Sequence, residues 1–585
     1  MRRLACVVLA ACALAARANA GPTDAVIEGI VARMRASLTA DQMLAADART
    51  VDRFVTARDR ATLGTKYWQF TANVPTRVSV MRHRDQPEPP FWLRERGFRL
   101  TDLSVRNEEY QYEVWQKDFP AGRIGLGING FDKHRVHYFV CVGPRRPGDA
   151  VRATGQTPST WPAGVMRKGA TIYHDWPDLV LTEVPSELDG QVLLTTIRGR
   201  AREAHLIGGF RSTPYPSSSV PDQIALTWPD DPKTSVAVQW RASVRTARGA
   251  VQWRASGSSE WRDVPATSVV LRDTRILNDP AVRRFTARLG GLTPGTAYEY
   301  RVGTPGGTWS RISRFRTAPD APGAFSFAWL SDTHNRPDTA ALLQRAVATH
   351  PDAAFCAITG DIVGTGQYRD DWDQFCAHTT AFARERPLLP GLGNHDTIDG
   401  LGADLYLAMF SLPRNGAPGL KPEKSYAVTY GNALFVVLDC TDDIAAQRPW
   451  LEKVLRESKA TWKFALFHFP PYSLDEDYPE IRREWCPLFD RYHVDFVLCG
   501  HVHHLERTHP IRAGKVVGSP AEGTIYLMTV AVGQRPTFNK PPDFAAVAME
   551  PGPPLFHAFT IKGRALRMQA MDATGKVWDE LEVGK

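Results

Sequence analysis

At 585 residues the chain is too long for a single hydrophobic core, and about 100–200 residues per domain implies three or four domains. Hydrophobic residues at 43% and charged residues at 23% exclude wholesale disorder, while 45 Gly and 43 Pro point to loops and β structure. The net charge of +8 is mild over this length, and no Lys/Arg block is dense enough to form a nucleic-acid arm.

The first twenty residues have the pattern of a secretory signal: Arg2-Arg3, an apolar run from Leu4 to Ala16, and Ala18-Asn19-Ala20 before Gly21. The run is too short to span a bilayer, and no later segment reaches 18 continuous apolar residues. The expectation is a secreted or periplasmic protein. Leu9-Ala10-Ala11-Cys12 offers an alternative, a lipoprotein box that would tether the chain through Cys12, and a buried N-terminal helix is the bland reading. Six cysteines remain beyond this segment: Cys141, Cys356, Cys376, Cys440, Cys486 and Cys499. Disulfide pairing is open to an exported protein but cannot be read from sequence. Cys356, Cys440 and Cys499 lie in or at the end of apolar runs, which favours small buried hydrophobes.

Residues 21 to about 65 place Val26, Ile30, Met34, Met43, Val51 and Phe54 at helical spacing. From Tyr67 to about Gly208 the pattern turns to strands, with alternation at Val78/Val80, Tyr110/Tyr112/Val114 and Ile124/Leu126/Ile128. No chemical motif occurs in 21–211, so its function is open; contact with carbohydrate or cell wall is one expectation. After a Ser/Pro linker at 212–219, strands are predicted at Ile224–Trp228, Val236–Trp240, Ala250–Arg254, Thr286–Leu289, Tyr298–Val302 and Ser313–Thr317. This even spacing over 220–318 predicts a β-sandwich. Leu292-Thr-Pro-Gly-Thr-Ala-Tyr298-Glu-Tyr300-Arg301 resembles the turn-and-strand signature of fibronectin type III domains, in which a tyrosine closes a corner. A structural spacer is its expected role.

Beyond Asp320-Ala-Pro-Gly323 strands alternate with helices over 324–585, which predicts an α/β layered fold. Apolar strands are expected at Phe325–Leu330, Ala353–Ile358, Phe435–Asp439, Trp462–Phe467 and Val494–Leu498. Helices are expected at Pro337–His350, Asp370–Arg384, Arg448–Ser458 and Pro479–Tyr492, and further strands at Leu555–Ile561, Ala565–Met571 and Val577–Leu581.

Polar residues gather where these strands end. The strand ending at Leu330 runs into Asp332-Thr333-His334, and the next into Gly360-Asp361. Leu388–Leu392 runs into Gly393-Asn394-His395-Asp396, and two later strands run into His468 and Gly500-His501-Val502-His503. In open α/β sheets ligands bind beyond the carboxyl ends of the strands. Asp, Asn and imidazole together suit borderline divalent ions rather than calcium or a thiolate cage. Their number exceeds the needs of one ion, and a carboxylate can bridge two. Gly360, Gly393 and Gly500 let the backbone turn tightly beside them.

The ordered set D-x-H, G-D, G-N-H-D, a lone His and G-H-x-H resembles that of the calcineurin-like metallophosphoesterase superfamily. His468-Phe-Pro-Pro-Tyr-Ser473, Gly500-His-Val-His-His-Leu-Glu506-Arg507-Thr-His-Pro510 and the preceding sandwich look like its purple acid phosphatase branch. The motifs cover about 325–535 and the branch likeness about 220–575, with 21–210 outside it. The resemblance implies a four-layer α/β/β/α domain holding two metal ions. The first ion would take Asp332, His334, Asp361 and His503, and the second Asp361, Asn394, His468 and His501, with Asp361 shared. His395 would contact the phosphoryl group and serve the leaving oxygen, with Asp396 orienting its imidazole. A hydroxide between the metals would attack phosphorus without a covalent enzyme intermediate.

One departure stands out. Purple acid phosphatases carry G-D-x-x-Y, whose tyrosinate binds ferric iron; here that position is Gly364, and His334 fills the D-x-H position. The expected ions are Mn, Zn or Fe(II), and the expected substrate a small phosphate ester, in the manner of an acid phosphatase acting on monoesters. A phosphodiesterase or nucleotidase of the same fold is the nearest alternative. A nuclease lacks an evident basic channel. An extracellular binding protein with a structural metal site is the reading from another class, and it leaves His395 and Asp396 without a purpose. His504 reads as solvent-facing or behind the ligands, and Tyr472, Glu506 and Arg507 as lining the pocket or bracing its loops.

Overall fold

The first helix follows from its apolar spacing: Ile27, Ile30, Val31 and Met34 lie on one buried stripe of Pro22–Ser37. Three short helices follow, at Ala40–Leu44, Ala48–Asp52 and Ala57–Leu63. Thr39 with Gln42, and Thr56 with Asp59, form reciprocal capping boxes that satisfy N-terminal N–H groups. The computed structural model describes residues 22–132, 134, 136–157, 163–174, 179–197, 209–321, 323–397, 402–474, 476–532, 543–549 and 552–585. The signal-like segment with Cys12 and Ala18-Asn19-Ala20 lies outside the described residues.

The chain divides into two compact units. The first ends at Arg211 but also includes Thr274–Leu277. Its helices bury Ile27, Met34, Val51 and Leu63 against Trp68, Val78, Val80, Trp92 and Trp115. The strands form two antiparallel sheets, a three-stranded one centred on Trp68–Ala72 and a seven-stranded one through Phe139–Pro144, Thr76–His83 and Gln111–Phe119. The guanidinium of Arg35 donates to the carbonyl oxygens of Thr274, Ile276 and Leu277 at 3.1, 3.1 and 3.3 Å. This segment belongs to the first unit although its sequence neighbours on both sides belong to the second.

The second unit opens with a sandwich of two four-stranded antiparallel sheets. Trp240, Val251, Phe285, Tyr300 and Phe315 fill the space between them. Two strands, Arg262–Pro265 and Thr267–Arg272, have no counterpart in the sequence reading. They are edge strands with mostly exposed side chains, so no apolar alternation marks them. The strand expected at Thr286–Leu289 is the end of a longer one, Ala281–Leu289. Tyr298 closes a corner, its hydroxyl accepting the Thr293 N–H at 2.8 Å.

Two further sheets face each other in the rest of this unit. In the first, Leu388–Gly391, Ala353–Thr359 and Phe325–Leu330 run parallel, and Leu555–Lys562, Ala565–Asp572 and Val577–Gly584 continue it antiparallel. The second has Tyr426–Tyr430 at one end, then Ala433–Val437, Trp462–Leu466, Phe496–Cys499 and Ile525–Met528 in parallel. Phe327, Phe355 and Phe559 from one sheet meet Phe435, Phe464 and Phe496 from the other, with Phe327 lying 5.1 Å from Phe435 and 5.4 Å from Phe464. Helices Asp338–Thr349 and Arg369–Ala383 cover the first sheet, and Ile444–Glu457 and Cys486–Tyr492 the second, giving the expected four layers. Helix Ile444–Glu457 starts a turn before its expected boundary because the Asp443 side chain caps Ala446 N–H at 2.8 Å. The helix expected over Pro479–Tyr492 breaks at Trp485, just before Pro487.

The sandwich is bound to these layers within the same unit. Trp228 packs on Phe355 at 5.2 Å, and Thr227 donates to the Ser411 carbonyl at 2.7 Å. Asp373, buried in Arg369–Ala383, lies 2.9 Å from Arg241 of the sandwich and 2.5 Å from Arg369. All six described cysteines are free and buried, as small hydrophobes would be. No helix among the described residues is long and apolar enough to cross a membrane.

Candidate metal centre

Five parallel strands, three from one sheet and two from the other, deliver side chains to one rim. Asp332 and His334 follow Phe325–Leu330, Asp361 follows Ala353–Thr359, and Asn394 and His395 follow Leu388–Gly391. His468 follows Trp462–Leu466, and His501 and His503 follow Phe496–Cys499. The backbone here is unusual. Asp332, His334, Asp361, His501 and His503 all have positive φ, between 41° and 76°. Non-glycine residues rarely adopt this conformation, and its concentration at one rim is the kind of strain that functional sites retain. Gly500 is needed for a steric reason: a Cβ there would stand 1.9 Å from the Ser331 hydroxyl and 2.2 Å from the Asp332 carboxylate.

Backbone N–H groups fix the carboxylates. His395 N–H donates to Asp361 Oδ1 at 2.8 Å, so Oδ2 is left facing His468 Nε2 at 3.2 Å and His334 and His395 Nε2 at 3.8 Å each. Asp332 accepts the His501 N–H at 2.9 Å and turns Oδ1 toward His503 Nε2 at 3.3 Å. His334 and His503 bring their Nε2 atoms to 3.1 Å. Three sets of ligand atoms lie close enough to share an ion: Asp332, His334 and His503; His334, Asp361 and His395; and Asp361, His468 and His501. Asp361 occurs in two of them.

The donor set fits metal ions on electrostatic grounds. Burial opposes ionisation of Asp361, yet His468 and His395 outweigh it and hold the carboxyl well below its ordinary range. Burial likewise opposes a charge on His468, but Asp361 and Asp332 prevail and lift it to about 10. The buried carboxylates thus demand positive charge, which a proton supplies here and which a divalent ion supplies more fully. The Nδ1–H of His468 donates to the Thr359 carbonyl at 2.8 Å, while its buried Nε2 makes no well-angled hydrogen bond. Buried Asn394 Oδ1 also has no hydrogen-bond partner. Buried polar atoms without a hydrogen-bond partner, set among carboxylates and imidazoles, fit a metal ion as their partner.

All nine residues singled out from the sequence come to this rim, but one relation differs. Asp396 does not pair with His395. Its carboxylate accepts N–H groups from Gly393, Val363 and Ile362 at 2.9, 3.1 and 3.2 Å, tying together the loops that carry Asp361 and Asn394. His395 instead places Nδ1 2.8 Å from the Gly364 carbonyl oxygen, at the position where a tyrosine was expected of the branch. His504 is buried and bonded to Glu506 at 3.0 Å, and Glu506 also accepts the Leu474 N–H at 3.3 Å. Arg507 pairs with Asp579 at 2.7 Å, and Tyr472 lines a cavity of about 250 Å³ with Ser473, Leu474, Glu476, Asp477, Arg482 and Phe544. Glu476 was not singled out, though it lies 2.9 Å from His501; an acidic residue shortly after the lone His was its only signal.

Residues 325–505 match the family model of calcineurin-like phosphoesterases, and residues 221–317 that of the purple acid phosphatase N-terminal domain. An uncharacterized protein of Mycobacterium tuberculosis is 30% identical over 294 residues, covering 42% of this chain and 55% of that one. The Fe(3+)-Zn(2+) purple acid phosphatase 12 of Arabidopsis thaliana is 24% identical over 326 residues, covering 51% and 67%. The alignments thus span roughly half to two thirds of these relatives' own length. Among solved structures, a purple acid phosphatase from yellow lupin (Lupinus luteus) seeds shares the fold at a TM-score of 0.56 and 16% identity, over 89% of this chain and 93% of that one. That coverage exceeds residues 220–575, so the likeness in fold reaches into the region that sequence motifs left outside. Two domain models matched in succession, with the Asp, Asn and His rim in the second, show that residues 325–505 form a calcineurin-like phosphoesterase domain, preceded, as in purple acid phosphatases, by that branch's N-terminal domain.

Proposed function

We propose that the chain hydrolyses small phosphate monoesters at a centre of two divalent metal ions. The observation that carries this reading is Asp361 Oδ2, which faces His468 on one side and His334 on the other. Asp332, His334, Asp361 and His503 would hold one ion, and Asp361, Asn394, His468 and His501 the other. Ions so held neutralise the oxygens of a phosphate ester and lower the pKa of water beside it. His395 works on the opposite side of the phosphoryl group. With Nδ1 anchored to the Gly364 carbonyl, Nε2 is the nitrogen that would pass a proton to the leaving oxygen. Its side chain is 26% exposed, whereas His468 is fully buried, as suits a group that meets substrate. Asp396 supports this indirectly, by fixing the loops on which His395 and Asp361 stand.

Gly364 offers no phenolate, so the ions in this reading are Mn, Zn or Fe(II). The segment from Arg2 to Ala20 supports a place outside the cytoplasm. The experiment is a comparison of chromogenic phosphate monoesters and diesters with added Mn or Zn. Monoester turnover that falls at least about a hundredfold in Asn394→Ala, with the fold retained, supports the proposal; undiminished turnover refutes it, and faster diester turnover assigns a phosphodiesterase.

A further inference from the structure

Glu476 stands between the strand that ends before His468 and the helix Pro479–Glu484. Its Oε2 lies 2.9 Å from His501 Nε2, and it also accepts the Tyr478 hydroxyl. The His501 ring is flanked by Phe469 at 4.7 Å and Tyr478 at 5.9 Å, both nearly edge-on, and those two rings stack on each other at 4.8 Å. The backbone beneath His501 is held as well, by its N–H to Asp332 and its φ of 76°. The imidazole is therefore held beside this aromatic pair and at one nitrogen.

A neutral imidazole has one N–H and one lone pair, and the partner of the first decides where the second points. At His468, Nδ1 donates to the Thr359 carbonyl, so Nε2 is the nitrogen that would offer a lone pair to an ion once its proton is displaced. At His501 the arrangement is reversed. A proton on Nε2, donated to Glu476, leaves the lone pair on Nδ1. We propose that Glu476 is a positioning residue of the second ion site: it holds His501 in the Nε2–H form and so makes Nδ1 the atom offered to the ion. The proposal rests on the two-ion reading above. A carboxylate partner also makes the imidazole a stronger donor than a carbonyl partner would, and such outer partners are worth about 10- to 100-fold in metal affinity.

The test titrates the metal-free full chain with Zn2+, and separately with Mn2+, by calorimetry, for the native sequence, Glu476→Ala and Glu476→Gln. In Glu476→Ala one of the two ions is expected to bind about 10- to 100-fold more weakly while the other is unchanged. The melting temperature of the metal-free chain should not move, and excess metal should restore turnover. Glu476→Gln keeps an acceptor oxygen without the charge and should fall between the two. Native affinity for both ions in Glu476→Ala overturns the proposal. A loss that excess metal cannot restore also overturns it, since Glu476 would then be a ligand itself. So does a lowered melting temperature without metal, the mark of a merely structural role. A native chain that fails to take up two ions sinks the two-ion reading instead, a separate outcome.

Discussion

With Nδ1 of His395 committed to the Gly364 carbonyl, only Nε2 can deliver a proton. Proton delivery matters most when the leaving oxygen is a strong base. His395→Ala should therefore reduce kcat by about 10²-fold or more on an alkyl phosphate and by clearly less on 4-nitrophenyl phosphate, as steady-state assays would show. Equal losses on both would mean His395 is not the acid. Gly364 sets a second expectation: the loaded protein should lack a visible charge-transfer band, checked by its absorption spectrum after aerobic purification. The gathering of these side chains at one rim was legible because each ends a predicted strand at a fixed spacing. The role of Asp396 was not. Asn394–Thr397 is a helical turn, in which successive side chains diverge by about 100°, so adjacency to His395 in sequence put the carboxylate on another side.

Among the elements, helix Arg369–Ala383 carries the most consequential buried charge. Asp373 sits between Arg241 and Arg369, and both guanidiniums are nearly inaccessible to water. Removing Asp373 takes the buried carboxylate from between them and leaves Arg241 to Asp222 at 2.6 Å and Arg369 to Asp279 at 3.7 Å. Asp373→Ala should destabilise the second unit by about 3–5 kcal/mol in denaturant unfolding, while metal affinity stays unchanged. The helix itself was evident from apolar spacing; the pairing of Asp373 with Arg241 was not, because it joins residues more than a hundred positions apart. Strand Leu555–Lys562 holds another titrating group. His557 is fully buried against Trp329 at 4.6 Å, and burial pushes its pKa down to about 3. In the folded chain it stays neutral while an unfolded chain takes up a proton near pH 6.5. Its contribution is thus intact above that pH and is lost as pH falls toward 3, amounting to a few kcal/mol at roughly 1.4 kcal/mol per unit. His557→Phe should flatten the fall in melting temperature between pH 7 and 4, and an unchanged slope would count against this account.

Across the whole molecule, metal should act on one unit alone, because every rim residue belongs to the second. At 100 times its Kd each ion adds about 2.7 kcal/mol to the stability of what binds it. Calorimetric scans with Zn or Mn should raise one transition, EDTA should return it, and any transition of the first unit should stay in place. The layered domain was legible from its alternating strands and helices, and the sandwich from its turns. The first unit was legible as helices leading into strands but not in its sheet order, since long-range antiparallel pairing such as Val80 with Trp115 leaves no local signature of its partners. Nor does anything at 274–277 announce a change of allegiance. The polypeptide leaves the first unit at Arg211, revisits it for four residues, and departs again. A fragment stopping at 211 would leave Arg35 without its three carbonyl acceptors, and one starting at 212 would display a tetrapeptide stripped of its companions. A single cut between them would sever the covalent thread without yielding two self-sufficient halves, so recombinant dissection has to graft that tetrapeptide rather than choose a boundary.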